Sequence, residues 1–257
     1  MKRFSQFLSI IILWPCLLLA QPGYKPAVTV NSKGDTLHGF IDYREWDSNP
    51  KSILFKPSNG APVRLSASDI SYFNIQVDHL DKYVSYIGPI STDNTIISQL
   101  SIGRDTSFRQ DTVFLRVAQE GAKVVLFSYE DSKKKRFFIG ESLTAKPVEL
   151  VYRIYLNAID ENGTDRTVYE TAFKGQLYDV ALKAGVLTSA LKKQIKNAEY
   201  KEDDIIRITG IINGVSATDA AKNNRTKPKG YAIALAVVGA VAVIAWFIND
   251  LSALHHH

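Results

Sequence analysis

A change of hydrophobic period along the chain sets the strongest limit on its fold. Up to about Asn157, apolar residues recur at every second position in short runs divided by turn residues; after Gly163 they recur at helical spacing. The clearest early run sets Val113, Leu115 and Val117 against Phe114, Arg116 and Ala118. Glu120-Gly121-Ala122 then turns the chain and Val124–Tyr129 returns. Asp131 to Lys135 makes a second turn, leading into Arg136–Ile139. Further strands are expected at Ala27–Val30, Thr36–Tyr43, Ser52–Lys56, Val63–Leu65, Tyr72–Val77, Tyr83–Ile87 and Val148–Leu156. Ser66-Ala67-Ser68-Asp69 reads as one helical turn with a serine cap, and Ser91–Gln110 as a long polar loop. Helices are expected over Tyr169–Lys183 and Leu187–Lys196. A third carries the stripe Ile205, Ile208 and Ile212 behind the acidic start Glu202-Asp203-Asp204, and Gly214 ends it. The expected fold class is therefore α+β: an antiparallel β-rich N-terminal half over 21–158, a C-terminal helical half of the same domain over 159–214, and one C-terminal transmembrane helix.

Both ends of the chain point to a membrane. MKRFSQ is a basic start, and the fourteen residues Phe7–Ala20 form an apolar region interrupted only by Ser9. That pattern predicts a secretory signal peptide over 1–20, cleaved after Ala20. Trp14 and Pro15 stand where a lipidation signal at Cys16 would need small residues. Cys16 is the single cysteine, so the mature chain is expected to hold neither a disulfide nor a thiol nucleophile. Near the other end, the eighteen residues Tyr231 to Ile248 carry no charge. At about 1.5 Å per residue they reach about 27 Å, enough to cross a hydrocarbon core. Tyr231 and Trp246 sit where amphipathic rings prefer the interface. Ala232, Ala236 and Ala240 form a small-residue stripe that suits helix–helix self-association. The other reading is a buried hydrophobic helix. A polar linker, 215–230, precedes this segment and a short tail, 249–257, follows it. Arg225, Lys227 and Lys229 would lie outside if the signal peptide sets the orientation, against the positive-inside tendency.

The stretch Gly34 to Pro50, GDTLHGFIDYREWDSNP, gathers carboxylates, aromatic residues and a histidine, and invites a catalytic reading. On a strand His38 and Asp42 are about 13 Å apart, too far to hydrogen-bond. A β-hairpin with a polar edge accounts for the same residues. Apart from the terminal His255, His256 and His257, native or a purification tag, the chain has only His38 and His79. That excludes the usual structural zinc sets. No G-x-S-x-G, Walker or G-x-G-x-x-G pattern is present. In Asp160-Glu161-Asn162-Gly163-Thr164-Asp165 the glycine is fourth rather than sixth and Thr171 takes the twelfth place, which suits an Asx turn better than a calcium loop. Lys133-Lys134-Lys135-Arg136 reads as a solvated charge run at a hairpin tip, with anionic lipid as the alternative. The net charge of +5 falls by the two charges of Lys2 and Arg3 to +3, too mild for nucleic acid. No catalytic, cofactor-binding or metal residue is expected, and no cofactor.

The stretches KGDTLHGFIDYREWDSNPKSILF, DTVFLRVAQEGAKVVLFSYED, FKGQL and IKNAEYKEDDI resemble a family of uncharacterised secreted proteins of the Bacteroidetes envelope. The resemblance covers most of Gly23–Gly214 and implies a module often found ahead of an outer-membrane β-barrel; here an uncharged hydrophobic segment stands in the barrel's place. The expected function is a non-catalytic interaction or scaffold protein of the cell envelope, exported and membrane-anchored, with an unknown envelope protein or polymer as partner. The alternatives are an envelope hydrolase and a lipid or small-ligand-binding module.

Overall fold

The alternating runs assemble into one ten-stranded antiparallel sheet. The computed structural model describes residues 23–43, 46, 48–77, 80–157 and 166–215. The strands are β1 Tyr24–Asn31, β2 Thr36–Asp42, β3 Ser52–Pro57, β4 Val63–Ser66, β5 Ile70–Gln76, β6 Leu80–Ser91, β7 Phe108–Gln119, β8 Val125–Glu130, β9 Lys135–Gly140 and β10 Val148–Glu149. Their order across the sheet is β10-β9-β8-β7-β6-β5-β1-β2-β3-β4. Strands β11, Arg153–Asn157, and β12, Arg166–Glu170, make a separate antiparallel pair. Gly34 turns β1 into β2 at φ 94°, a left-handed conformation that glycine adopts without a Cβ penalty. Asn31 Oδ1 accepts from the Lys33 and Asp35 amides, at 2.9 Å each, and closes the loop.

Three clusters of buried residues line the sheet. One lies among β1, β2, β3 and β5, with Ile41, Phe55, Phe73 and Ile75 at its centre. A second lies between the β6–β7 ribbon and β8–β9, built on Leu115, Phe127 and Phe138. The third lies on the opposite face of β8–β9, where Leu126, Phe137 and Ile139 meet the helices. Strands β8 and β9 are thus buried on both faces. That is why Val124–Tyr129 and Phe137–Ile139 read as continuous apolar runs instead of alternating ones.

Three short helices cover that third face: α1 Ala172–Lys183, α2 Ser189–Asn197 and α3 Glu202–Ile212, of 12, 9 and 11 residues. Thr188 caps α2 by accepting from the Leu191 amide at 3.2 Å. Glu202, in the first turn of α3, meets Lys135 at 2.6 Å and Arg116 at 3.4 Å, tying the helix to the sheet. Helix α3 ends before Gly214, as its sequence indicates.

These findings correct the α+β expectation. The described residues are mainly antiparallel β, and the helices are a minor layer on one face of the sheet rather than half a domain. The segment Arg166–Glu170, partly assigned to the first helix, is strand β12, because its backbone pairs with β11 in register from Arg153↔Glu170 to Asn157↔Arg166. Val148–Leu156 is not one strand: β10 joins the large sheet and β11 the small one. Ser66–Asp69 is a turn in which Ser66 Oγ accepts from the Ser68 amide at 3.4 Å, as expected of a serine cap, and Asp69 Oδ2 accepts from the Ser66 amide at 2.7 Å. Among the described residues no helix is long and apolar enough to cross a membrane. The signal segment 1–20, the calcium-like loop Asp160–Asp165, His79, the linker beyond Val215, Tyr231–Ile248 and the tail lie outside the described residues.

Candidate functional site

Strands β7 and β8 pair only at one end. Their register holds at Arg116↔Ser128 and Val117↔Phe127, with a bulge toward Gln119↔Leu126. Beyond Arg116, β7 continues back to Phe108 paired with β6 alone, from Ser85↔Phe114 to Ser91↔Phe108. Meanwhile Tyr129 and Glu130 of β8 pair with β9 alone. The two strands part, and a groove of about 560 Å³ opens between them, within the usual range for ligand sites.

Asn49 sits where the strands part. Its Nδ2 donates to Phe114 O at 2.8 Å and to Ser128 O at 3.2 Å, and its Oδ1 accepts from the Glu130 amide at 2.9 Å. Its own amide donates to Glu130 O at 3.2 Å. One side chain thus satisfies main-chain groups on both strands, which would otherwise lie unpaired in a half-buried position. Asn49 therefore stabilises the opening at the end where the strands part.

A polar floor crosses the groove. Arg109 Nε donates to Asp111 Oδ2 at 2.7 Å, and its Nη2 reaches Tyr129 Oη at 3.4 Å and Asp131 Oδ2 at 3.6 Å. Asp111 Oδ1 also accepts from the Thr112 amide at 2.9 Å. Behind this floor Arg136 is fully buried. Its Nε donates to Ser91 O at 2.9 Å, and its Nη1 to Lys134 O at 2.9 Å and Asp131 Oδ1 at 3.0 Å. Its guanidinium lies 5.7 Å from the Tyr129 ring centre. Burial would push the Asp131 carboxyl up. Hydrogen bonds from Arg136 and from the Lys133 and Lys134 amides outweigh it, and the group stays below the ordinary carboxylate range. Burial pushes the Tyr129 hydroxyl up. These directions describe a fixed ionic lattice, unlike the raised carboxyl that a general acid needs.

Next to Arg136 lies a buried ion pair, Lys134 Nζ to Asp93 Oδ1 at 2.7 Å, with both side chains almost fully enclosed. Ser91 also meets Glu149: its amide donates to Oε2 at 3.1 Å and its hydroxyl to Oε1. The solvated charge run expected at Lys133–Arg136 is thereby corrected. Lys133 is exposed, but Lys134 and Arg136 point inward and hold the 92–107 segment to the sheet.

A second concavity, about 290 Å³, lies beside the helices. Tyr152 and Tyr200 stack there at 4.7 Å, with Phe173 edge-on to Tyr200 at 5.1 Å. Tyr200 is committed to structure: its hydroxyl donates to Leu150 O at 2.8 Å and accepts from the Phe137 amide at 3.1 Å.

His38 is exposed on β2 opposite Val28, and its carbonyl accepts from the Ser58 amide at 3.3 Å. Within Gly34–Pro50, Thr36–Asp42 is the second strand of a hairpin and Asn49 fills the gap between β7 and β8. Among the described residues no group of three or more His, Cys, Asp or Glu side chains could hold a metal ion. The groove residues Arg109, Asp111, Tyr129, Asp131 and Asn49 were not anticipated. The one signal for them was the density of charge in Arg109–Asp111, next to the runs that alternate. No protein-family model, curated protein or solved structure matches this chain.

Proposed function

We propose that the protein is a non-catalytic interaction or scaffold module of the cell envelope. It is exported, and it associates with the membrane through its uncharged run Tyr231–Ile248. The observation that supports the interaction role is the parting of β7 from β8. It exposes a strand edge and a polar groove whose floor charges, Arg109, Asp111 and Asp131, are held in fixed pairs. Such a surface is suited to recognising a partner and poorly suited to moving protons. The resemblance to secreted envelope proteins and the basic, apolar N-terminus support the location. The aromatic concavity at Tyr152, Tyr169 and Phe173 favours a second reading, a small-ligand-binding module.

Site-specific photo-crosslinking in cells separates these readings. A photoreactive residue at Ser132, on the groove rim, is expected to capture an envelope partner. One at exposed Lys183, on α1, is expected to capture none. Capture at Lys174, beside the aromatic concavity, with none at Ser132 would transfer the role to that concavity. N-terminal sequencing of the cellular protein is expected to start at Gln21; a chain starting at Met1 would refute cleavage and recast residues 7–20 as a signal anchor.

A further inference from the structure

The groove has a directional chemistry that identifies what it takes. Phe114 directs its carbonyl away from β6, toward Asn49. With a period of two, Gln110 and Thr112 direct their main-chain groups to that same side. Strand β8 is not there to meet them. Thr112's amide turns to its neighbour Asp111 instead. Among the described residues no protein group meets the Gln110 amide and carbonyl or the Thr112 carbonyl on that edge. The two faces of this stretch differ. Phe108 and Gln110 lie on the outer face beside Ile87, where Phe108 is 62% and Ile87 70% exposed. Arg109 and Asp111 lie on the inner face, where they form the groove floor. Two rim cations have no carboxylate partner among the described residues: Lys51 is exposed and makes no ion pair there, and Lys133 Nζ donates to Thr92 O at 3.1 Å.

We propose that the groove binds an extended peptide segment of a partner protein, with alternating apolar and acidic residues, which adds as a strand to the free β7 edge at Phe108–Thr112. This proposal rests on the reading of the protein as an interaction module and names that module's ligand. The peptide's main chain pairs with Gln110 and Thr112. Its apolar side chains extend the outer face beside Phe108 and Ile87. Its acidic side chains turn inward to Arg109, Lys133 and Lys51. Main-chain pairing supplies affinity and the alternation supplies specificity, as in other strand additions. Asp111 guards the Thr112 amide while the edge is empty, a common protection of exposed strand edges.

The probe is a capped peptide of about eight residues alternating valine and glutamate, a length matched to a typical strand. Its binding to the full-length chain is read by fluorescence anisotropy. The same peptide with every second amide N-methylated is expected to bind at least about tenfold more weakly, because it loses edge hydrogen bonds. A valine–lysine version is expected to be weaker by about tenfold, and raising salt from about 50 to about 300 mM is expected to weaken the glutamate peptide severalfold. Gln110→Pro removes a donor on the free edge and leaves the β6 ladder intact, so it is expected to fold and to lose about tenfold in affinity. Equal binding of the methylated and unmethylated peptides overturns strand addition, whether or not Gln110→Pro folds. So does a preference for the lysine version, or no binding of the glutamate peptide. If crosslinks at Ser132 persist in any of those cases, the interaction module stands and only its ligand is wrong. If the crosslinks are absent as well, both readings fall.

Discussion

Asp93→Ala should be among the most damaging single substitutions in this chain. It leaves the Lys134 ammonium enclosed without its counterion. The pair is 2.7 Å long, and the side chains are 2% and 4% exposed. Removing one member of a buried pair costs about 3–5 kcal/mol, mostly as the desolvation of the charge left behind. At about 2–4 °C per kcal/mol for a domain of this size, melting should fall by roughly 6–20 °C. Asp93→Ala combined with Lys134→Met removes the stranded charge, and the double variant should regain about 1–2 kcal/mol over Asp93→Ala alone.

The pH dependence has a defined sign. Burial lowers the Lys134 value below that of a free lysine, while the hydrogen bond and charge of Asp93 oppose the shift. The unfolded chain therefore holds this proton more tightly, and stability from this group rises with pH until both states are neutral, near the ordinary value of about 10.4. Asp93→Ala removes the two strongest supports and lowers the native value further. The stability gap to wild type should thus narrow as pH climbs from the variant's Lys134 value to that of the wild type. Urea unfolding at about pH 7 and about pH 9.5 reads both effects, with the ordinary lysine value of about 10.4 as the upper limit. A loss below about 1 kcal/mol, or a double variant less stable than Asp93→Ala, would refute the buried-pair reasoning.

Asn49→Ala should cost about 2–3 kcal/mol, since it strips partners from Phe114 O, Ser128 O and the Glu130 amide at once, and hydrogen exchange should rise at Glu130. Arg136→Lys keeps the charge but loses the planar fork that serves Ser91 O, Lys134 O and Asp131 together; a loss of about 2–4 kcal/mol in chemical denaturation is expected. His38→Ala should leave peptide affinity within about threefold of wild type, and a hundredfold loss would restore a catalytic or binding role to the Gly34–Pro50 stretch.

The parts of the fold that could be read in advance are those fixed by local contacts. The β1–β2 hairpin carries its own turn at Asn31–Asp35, and the β7–β8–β9 meander carries turns at Gly121 and Asp131. Helix α3 carries an acidic start and a glycine stop. The remainder depended on distant partners. Strand β12 was hidden because Val168 and Tyr169 fit a helical stripe, and only pairing with β11 decides the matter. The first residues of β7 read as loop because they border a groove, so no buried face imposes alternation on Arg109–Asp111. Lys134 and Arg136 read as solvent-facing because their partners Asp93 and Ser91 stand 41 and 45 residues earlier. Nothing near a lysine in sequence reports that kind of burial.

The same non-local charges explain why the groove can stay open. A parted pair of strands is an unstable feature unless each side is held from behind. Strands β8 and β9 are held by cores on both faces. The β6 end of the ribbon is held by Ser91, which accepts from Arg136 of β9 and donates to Glu149 of β10. Buried Arg136 therefore clamps the far end of the ribbon to the strands beyond the groove, while Asn49 fills the near end. Between these two fixed points the β7 edge stays apart from β8, and the contacts of Arg109 with Tyr129 and Asp131 form the floor beneath the gap. Loosening the clamp should collapse or flatten the groove before it unfolds the sheet. On that reasoning Arg136→Lys should weaken the acidic strand peptide at temperatures well below its melting transition, by at least about tenfold, through loss of a preformed edge. Unchanged affinity in a folded Arg136→Lys protein would mean that the groove is held open by Asn49 alone.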